Sequence, residues 1–330
     1  MRRVALPEFE LIERYFRSRG ERRPDVVLGV GDDAALLAPT AGGDLVAAID
    51  TLVEGVHFPR ASPAASIGHR ALAVNLSDLA AMGARPAWAL LALTLPESDE
   101  AWLGEFTTGF ASLARTHRVA LVGGDTTQGP LTVTVALLGQ VPHGTALTRG
   151  GGRAGDVLFV SGTPGDAAAG LALEQGGLAG PGLSGADSKY LRDRFRLPTP
   201  RLALGERLRP FASACIDVSD GLLADAGKLA AASGAGVELA YASVPLSEPL
   251  LAAVGEERAR ELAFTGGDDY ELCFAVRPQD VARLSAELPP QRWLYTRIGM
   301  LCERPGACVV RDGNVMEFSH SGYEHFRLSE

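Results

Sequence analysis

Aspartates set beside glycines at the ends of predicted strands are the residues of this chain best suited to chemistry. They occur as Gly31-Asp32-Asp33, Asp50-Thr51, Gly123-Gly124-Asp125-Thr126-Thr127, Asp217-Val218-Ser219-Asp220-Gly221 and Gly266-Gly267-Asp268-Asp269. Asp78 adds a carboxylate from a predicted helix. Glycine lets the backbone approach a ligand and adopt positive φ. The short stem of aspartate fixes a hard anionic oxygen, the donor Mg²⁺ takes while keeping water and phosphate oxygens in its other positions. A single Gly-Asp pair is an ordinary turn. Several that converged would repel one another unless cations lay between them. The chemistry expected is metal-assisted handling of phosphates.

Other phosphate devices are missing. There is no G-x-x-x-x-G-K-[ST], and neither lysine, Lys189 or Lys228, follows a glycine loop. The turn Gly162-Thr163-Pro164-Gly165 lacks the rest of a dinucleotide fingerprint and reads as a helix entry. No protein-kinase catalytic loop is present. Phosphates would have to be held by metals, backbone amides and arginines. The net charge of -9 sets nucleic acid aside as a partner and leaves bound cations as the source of positive charge. The cysteines Cys215, Cys273, Cys302 and Cys308 form no C-x-x-C pair, the pattern of a reduced interior. Met1-Arg2-Arg3 is followed by no apolar h-region, and Glu8, Glu10 and Glu13 come too soon for a signal peptide. No apolar run nears the roughly 20 residues that span a bilayer. The expectation is a cytoplasmic enzyme with no membrane partner.

Alternating strand and helix patterns must position these carboxylates. A helix opens at Pro7 and ends by Gly20, and a strand over 26–30 runs into Gly31. A strand over 45–49 runs into Asp50. Ser62-Pro63 starts a helix carrying Asn75 and Asp78 as far as Gly83. A strand follows over 87–95, and Ser98 caps a helix ending near His117. A strand over 119–122 stops at Gly123, and another covers 131–138. The glycine run 150–152 marks a junction, dividing the chain into 1–148 and 149–330. A second α/β series then has strands at 157–160, 214–218 and 271–276, and helices from Pro200 and over 222–232. Residues 175–190 read as a Gly-rich surface loop. The fold class is mixed α/β in two halves.

Seven segments together are specific. Gly-Val-Gly-Asp-Asp-Ala-Ala (29–35), Asp-Thr-Leu-Val-Glu-Gly-Val-His-Phe (50–58), Ala-Val-Asn-Leu-Ser-Asp-Leu-Ala-Ala-Met-Gly-Ala (73–84), Gly-Gly-Asp-Thr-Thr (123–127), Leu-Thr-Arg (147–149), Ile-Asp-Val-Ser-Asp-Gly (216–221) and Gly-Gly-Asp-Asp-Tyr-Glu-Leu (266–272) resemble the thiamine-monophosphate kinase family, in its order and across almost the whole chain. The resemblance implies the two-domain fold of the aminoimidazole ribonucleotide synthetase-like superfamily. In it, an N-terminal metal- and ATP-binding domain pairs its sheet with a second copy in a homodimer, and a C-terminal α/β domain closes the cleft. It implies ATP-dependent phosphorylation of thiamine phosphate to thiamine diphosphate, by direct in-line transfer with several Mg²⁺ ions.

Residue roles follow from the resemblance position by position. Asp33, Asp50, Asp78 and Asp125 match magnesium ligands, and Asp217 and Asp220 add contacts from the second half. Gly124, Asp125, Arg149 and Ser219 match ATP-binding positions. His57, Asp268 and Tyr323 match positions that hold thiamine phosphate. Ala48 and Ile49 stand where the family often carries Ser or Thr, so only their carbonyls are left to meet a metal. No general base is implied, because the acceptor is already a phosphate.

Read without the resemblance, His57 is a half-buried packing residue, Ser219 a helix cap, Arg149 a solvated junction residue and Tyr323 a core aromatic. Rival functions are another ATP-using enzyme of the superfamily or a non-catalytic Mg-ATP sensor. Selenophosphate synthetase would need a reactive Cys and Lys near the N-terminus. The related dehydratase would need a terminal cysteine in place of Leu328-Ser329-Glu330.

Overall fold

The computed structural model describes residues 8–17, 21–30, 34–178 and 183–325. The chain divides into two compact units, one of Met1–Leu79 with Ala84–Thr145, the other of Ala80–Gly83 with Ala146–Glu330. The first unit contains α1 (Glu8–Tyr15), β1 (Val26–Leu28), β2 (Leu36–Leu37), β3 (Gly43–Val53), α2 (Ala64–Ala81, its last residues counted with the second unit), β4 (Arg85–Leu95), α3 (Glu100–Thr116), β5 (Ala120–Gln128) and β6 (Thr132–Pro142). Its main sheet has the order β3-β6-β4-β5, with β4 and β5 parallel and the other pairs antiparallel.

Two-residue periodicity decides which side of this sheet is buried. Along β6, Val133, Val135 and Leu137 are buried and the residues between them partly exposed. Cross-strand register puts Leu52, Val133 and Leu93 in one row, and Leu79 of α2 fills the space over Gly139 of β6. That side is the core. α2 is apolar on nearly all sides, the pattern of a helix buried all round. α3 starts at Asp99, whose carboxylate accepts the N–H groups of Ala101 and Trp102. The cap is therefore one residue past the expected Ser98. Phe106 and Phe110 of α3 are fully buried, each contributing roughly 2–3 kcal/mol. The opposite side of the sheet is uncovered at Leu45, Ile49 and Leu90, which are 55, 67 and 38 % exposed.

The second unit contains β7 (Val157–Ser161), α4 (Asp166–Glu174), α5 (Gly185–Arg196), α6 (Leu202–Leu208), β8 (Ala212–Val218), α7 (Leu222–Ala232), β9 (Gly236–Ala240), α8 (Glu248–Val254), α9 (Glu256–Thr265), β10 (Glu271–Val276), α10 (Val281–Glu287), α11 (Pro290–Trp293), β11 (Tyr295–Cys302), β12 (Ala307–Arg311) and β13 (Asn314–Met316). The sheet order is β13-β12-β9-β11-β7-β10-β8, antiparallel except for β12 with β9. Leu222, Leu229 and Ala230 of α7 join Val218, Leu239 and Phe264 in the larger core cluster. A second cluster joins α4, α5, α8 and α9 through Leu173, Leu191, Leu250 and Ala259.

The stretch expected as a loop over 175–190 holds the start of α5 instead. Ser184 caps it through the Asp187 N–H, and Leu191 and Phe195 bury one face four residues apart. The sheet brings the start of β10 beside the ends of β7 and β8, since Cys273 pairs with Val160 and Glu271 with Val218. The loops that carry the second unit's carboxylates therefore share one sheet end. No helix among the described residues is long and apolar enough to cross a membrane.

Candidate functional site

Asp33 lies outside the described residues. Asp50 does not end a strand as expected. It sits inside β3, opposite Val135 on the core side, because the Val133–Val135–Leu137 row carries β3 past it to Val53. The residues before it, Ala48 and Ile49, face opposite ways, Ile49 outward. Asp78 is the one residue of the stretch 71–80 in α2 that is not fully buried, and its carboxyl is hydrogen-bonded to that of Asp50. Burial pushes the Asp50 carboxyl above the ordinary range, against the hydrogen bond from Asp78. His57 is half-buried, and its Nδ1 accepts the Val53 N–H at 3.0 Å, so the neutral ring carries its proton on Nε2. Two carboxyls thus meet near the end of β3 next to α2, in the neighbourhood of His57.

Asp125 and Gly124 are elsewhere. β5 was expected to stop at Gly123 but continues through Gly-Gly-Asp to Gln128. Glycine is required at 124 by packing: a Cβ there would lie 1.8 Å from the Leu91 carbonyl oxygen, at φ +153°. Asp125 is exposed and shares its register row with Ala92, Thr134 and Thr51, on the uncovered side of the sheet. Asp50 and Asp125 thus lie on opposite edge strands and opposite faces, about 14 Å apart at three strand spacings. Among the described residues, no three His, Cys, Asp or Glu side chains gather closely enough to hold a metal ion.

In the second unit, the backbone segments that carry Ser219, Asp220, Asp268 and Tyr323 are bonded to one another, next to the end of β8 that carries Asp217. Asp217 is 4 % exposed on β8. The Asp268 N–H donates to the Ser219 carbonyl, the Tyr270 N–H to Val218 and the Tyr323 N–H to Asp220, each at 2.8 Å. Asp268 and Tyr270 hold φ of +73° and +51°, unusual for residues with side chains, and the Tyr270 hydroxyl donates to Asp268 Oδ1. Gly322 admits the close approach of its segment, since a Cβ would fall 2.5 Å from the Asp220 carbonyl. Tyr323 is 49 % exposed, so it is not the core aromatic that its surroundings in sequence also allowed. Arg149 is exposed, and its carbonyl accepts the Ser233 hydroxyl.

Several supporting residues escaped the sequence. Ser219 does not cap α7. Nor does any other side chain, the cap being Gly221; Asp225, in the first turn, instead holds the preceding loop, its Oδ2 accepting the N–H groups of Ser219, Asp220 and Gly221 at 2.9, 2.9 and 3.2 Å. Lys228 bridges Asp220 and Asp225. Burial pushes its ammonium down, but the two carboxylates outweigh it and the net direction is up. Asp269, fully buried, accepts the N–H groups of Gly165 and Ala167 at the start of α4. The signals were present: an acid in the first turn after Asp-Gly, and a doubled Asp after Gly-Gly.

Residues 31–141 match the family model of "AIR synthase related protein, N-terminal domain", and residues 153–310 that of the C-terminal domain. A curated Escherichia coli (strain K12) protein named thiamine-monophosphate kinase is 45% identical over 324 residues, 98% of this chain and 99% of that one. The crystal structure of thiamine-monophosphate kinase from Stenotrophomonas maltophilia K279a is similar with a TM-score of 0.84 and 48% identity, over 95% of this chain and 99% of that one. The solved structure "AaThiL complexed with AMPPCP and TMP" has a TM-score of 0.76 at 33% identity, over 90% of this chain and 92% of that one.

Proposed function

The chain belongs to the AIR synthase related family, among its thiamine-monophosphate kinases, and we propose that it phosphorylates thiamine phosphate to thiamine diphosphate with ATP as donor. Within the geometry, the hydrogen-bonded Asp50–Asp78 carboxyl pair carries the proposal. Two carboxyls in contact need either a shared proton or a cation between them. Their hard oxygens fit Mg²⁺, with Asp33, Asp125, Asp217 and Asp220 and the Ala48 and Ile49 carbonyls as further donors. Bound Mg²⁺ would neutralise phosphate charge and hold the reacting groups in line.

The chain's own residues position the substrates. Gly124 and Arg149 meet ATP, as does Ser219, whose loop Asp225 fixes. His57, Asp268 and Tyr323 hold thiamine phosphate, the last two on backbone segments pinned to Ser219 and Asp220. An oxygen of thiamine phosphate forms its bond to the γ-phosphorus of ATP, the bond from that phosphorus to the β–γ bridging oxygen breaks, and ADP leaves. The acceptor oxygen is already ionised, so no side chain has to remove a proton from it. Rate comes from positioning and charge neutralisation.

The working form is a homodimer built on the uncovered face of the first unit, in the cytoplasm. Leu45, Ile49 and Leu90 form an apolar surface that a second copy of the same face would bury. Asp50 and Asp125 sit at opposite edges of that sheet. A two-fold axis along the strands would set β3 of one copy against β5 of the other, bringing the edge with Asp125 to the edge with Asp50. Residues 1–148 would hold metal and ATP and make the dimer, and 149–330 would close over the substrates.

The test is ADP release from Mg-ATP with thiamine phosphate, beside free thiamine, with the product identified by mass. Thiamine diphosphate formed from the monophosphate alone is the expected result. ATP binding without acceptor-dependent ADP would overturn the kinase assignment in favour of a sensor.

A further inference from the structure

Within the second unit lies a cavity of about 600 Å³ lined by none of the residues assigned above to ATP, metal or thiamine phosphate. Its volume falls inside the range of about 300–1,000 Å³ usual for small-molecule sites. Pro245, Pro290, Leu294 and Tyr295 supply apolar wall, and the guanidinium groups of Arg194 and Arg201 supply charge.

The two arginines share one carboxylate. Glu271, fully buried, accepts from Arg201 Nε and Nη2 and from Arg194 Nη2. One carboxylate thus takes the direct hydrogen bonds of both guanidinium groups. Two further carboxylates are nearby, and both have other work. Asp269 is held by backbone amides at the start of α4, and Asp166 by the hydroxyls of Thr163, Tyr190 and Ser247. Burial pushes both carboxyls upward, against the Arg194 guanidinium, which draws them down. Each guanidinium has five N–H donors, so several remain after the bonds to Glu271. Arg194 Nε, buried, has no hydrogen-bond partner.

The mouth adds an independent sign. Leu294 is 59 % exposed and sits in the left-handed region at φ +52°, ψ +54°, a strained conformation for a residue with a branched side chain. Its carbonyl accepts the Gly162 N–H at 2.7 Å, which joins two segments of the cavity lining. An exposed apolar side chain and two arginines lining one pocket fit a ligand that is apolar at one end and anionic at the other.

We infer that this cavity is a second small-molecule site, one that takes a compact organic phosphate or carboxylate whose anionic group meets Arg194 and Arg201 and whose apolar body lies against Pro290, Leu294 and Tyr295.

The probes are phenyl phosphate and benzoate, titrated calorimetrically into the full chain in EDTA, where a metal-dependent phosphate site is silent. Inorganic phosphate and phenol serve as the two halves of the ligand. The expected result is saturable binding of phenyl phosphate or benzoate, at least tenfold tighter than either half, and the better of the two identifies the anion. Thr296→Phe and Gln291→Trp narrow the cavity without touching the Glu271 ion pairs. Each should weaken binding at least tenfold while leaving thiamine phosphate turnover unchanged. Gln291 is exposed, so its variant tests the site even if Thr296→Phe fails to fold. Absence of saturable binding, equal binding of phenol, equal binding of inorganic phosphate, or undiminished binding in a folded variant would each overturn the assignment.

Discussion

Replacing Asp50 by asparagine should make the metal-free protein more stable and the metal-dependent one inactive. Holding Asp50 and Asp78 in hydrogen-bond contact at pH 7 requires one carboxyl to keep a proton about three pH units above its ordinary pKa, a cost of at most roughly 4 kcal/mol. The hydrogen bond itself recovers part of that. An amide at 50 donates to Asp78 with no proton to retain. We expect Asp50→Asn to exceed the wild type by about 1–3 kcal/mol in EDTA, a melting temperature higher by roughly 3–9 °C. The pH dependence carries the same sign. Because burial raises the folded-state pKa of Asp50, its contribution is full below the unfolded value near 4 and is lost as pH rises through the folded one. Wild-type stability should therefore gain on acidification from pH 7 toward 4 more than the variant's does. With Mg²⁺ and a non-hydrolysable ATP analogue the order reverses: the wild type gains by linkage and the variant gains little. Turnover should fall by about 10²-fold or more. Differential scanning calorimetry with and without Mg²⁺-nucleotide reads all of this but the rate. A variant that melts below the wild type in EDTA and keeps the full nucleotide shift would refute the reasoning.

Asp225→Ala should cost about 2–4 kcal/mol, read as a lower urea midpoint, because it strips the acceptor from three backbone N–H groups; Asp225→Asn, which keeps a carbonyl oxygen, should recover part of the loss. Leu45→Glu places a charge on the β3 edge of the uncovered face and should convert a dimer into a folded monomer in sedimentation velocity, with unchanged circular dichroism; a persisting dimer would move the interface off this face.

The carboxylate-bearing motifs were legible because short range fixes them: a glycine and an aspartate in one turn need no distant partner to be recognised. Where they sit was less legible. Asp50 and Asp125 read as strand ends because Asp and Gly disfavour strands locally, yet cross-strand packing of Val133, Val135 and Leu91 extends β3 and β5 past them. The cluster of Glu271 with Arg194 and Arg201 had no sequence signal. Its members are 70 and 77 residues apart and meet only because antiparallel β10 starts where β7 ends. Asp225 was passed over because an acid one turn into an alanine-rich helix looks like a solvated residue. Only its burial, at 1 % exposure, reveals that it turns back onto its own helix start. The separation of Asp50 from Asp125 likewise depends on strand order, which local pattern does not encode.

Lys228 sets a limit on how far this chain's composition can drift. Arginine supplies all but two of its 31 basic residues, so replacement of lysine by arginine is the substitution the composition would seem to invite. At 228 it would not be neutral. The ammonium reaches Asp220 and Asp225 from a single point, with donors that rotate to suit both. A guanidinium is flat and forks onto the two oxygens of one carboxylate. Arginine here would satisfy one partner and swing the other away. Because Asp220 carries the Tyr323 backbone and Asp225 carries the loop of Ser219, the geometry of two substrate-facing segments rests on a side chain that looks interchangeable by charge and is not interchangeable by shape.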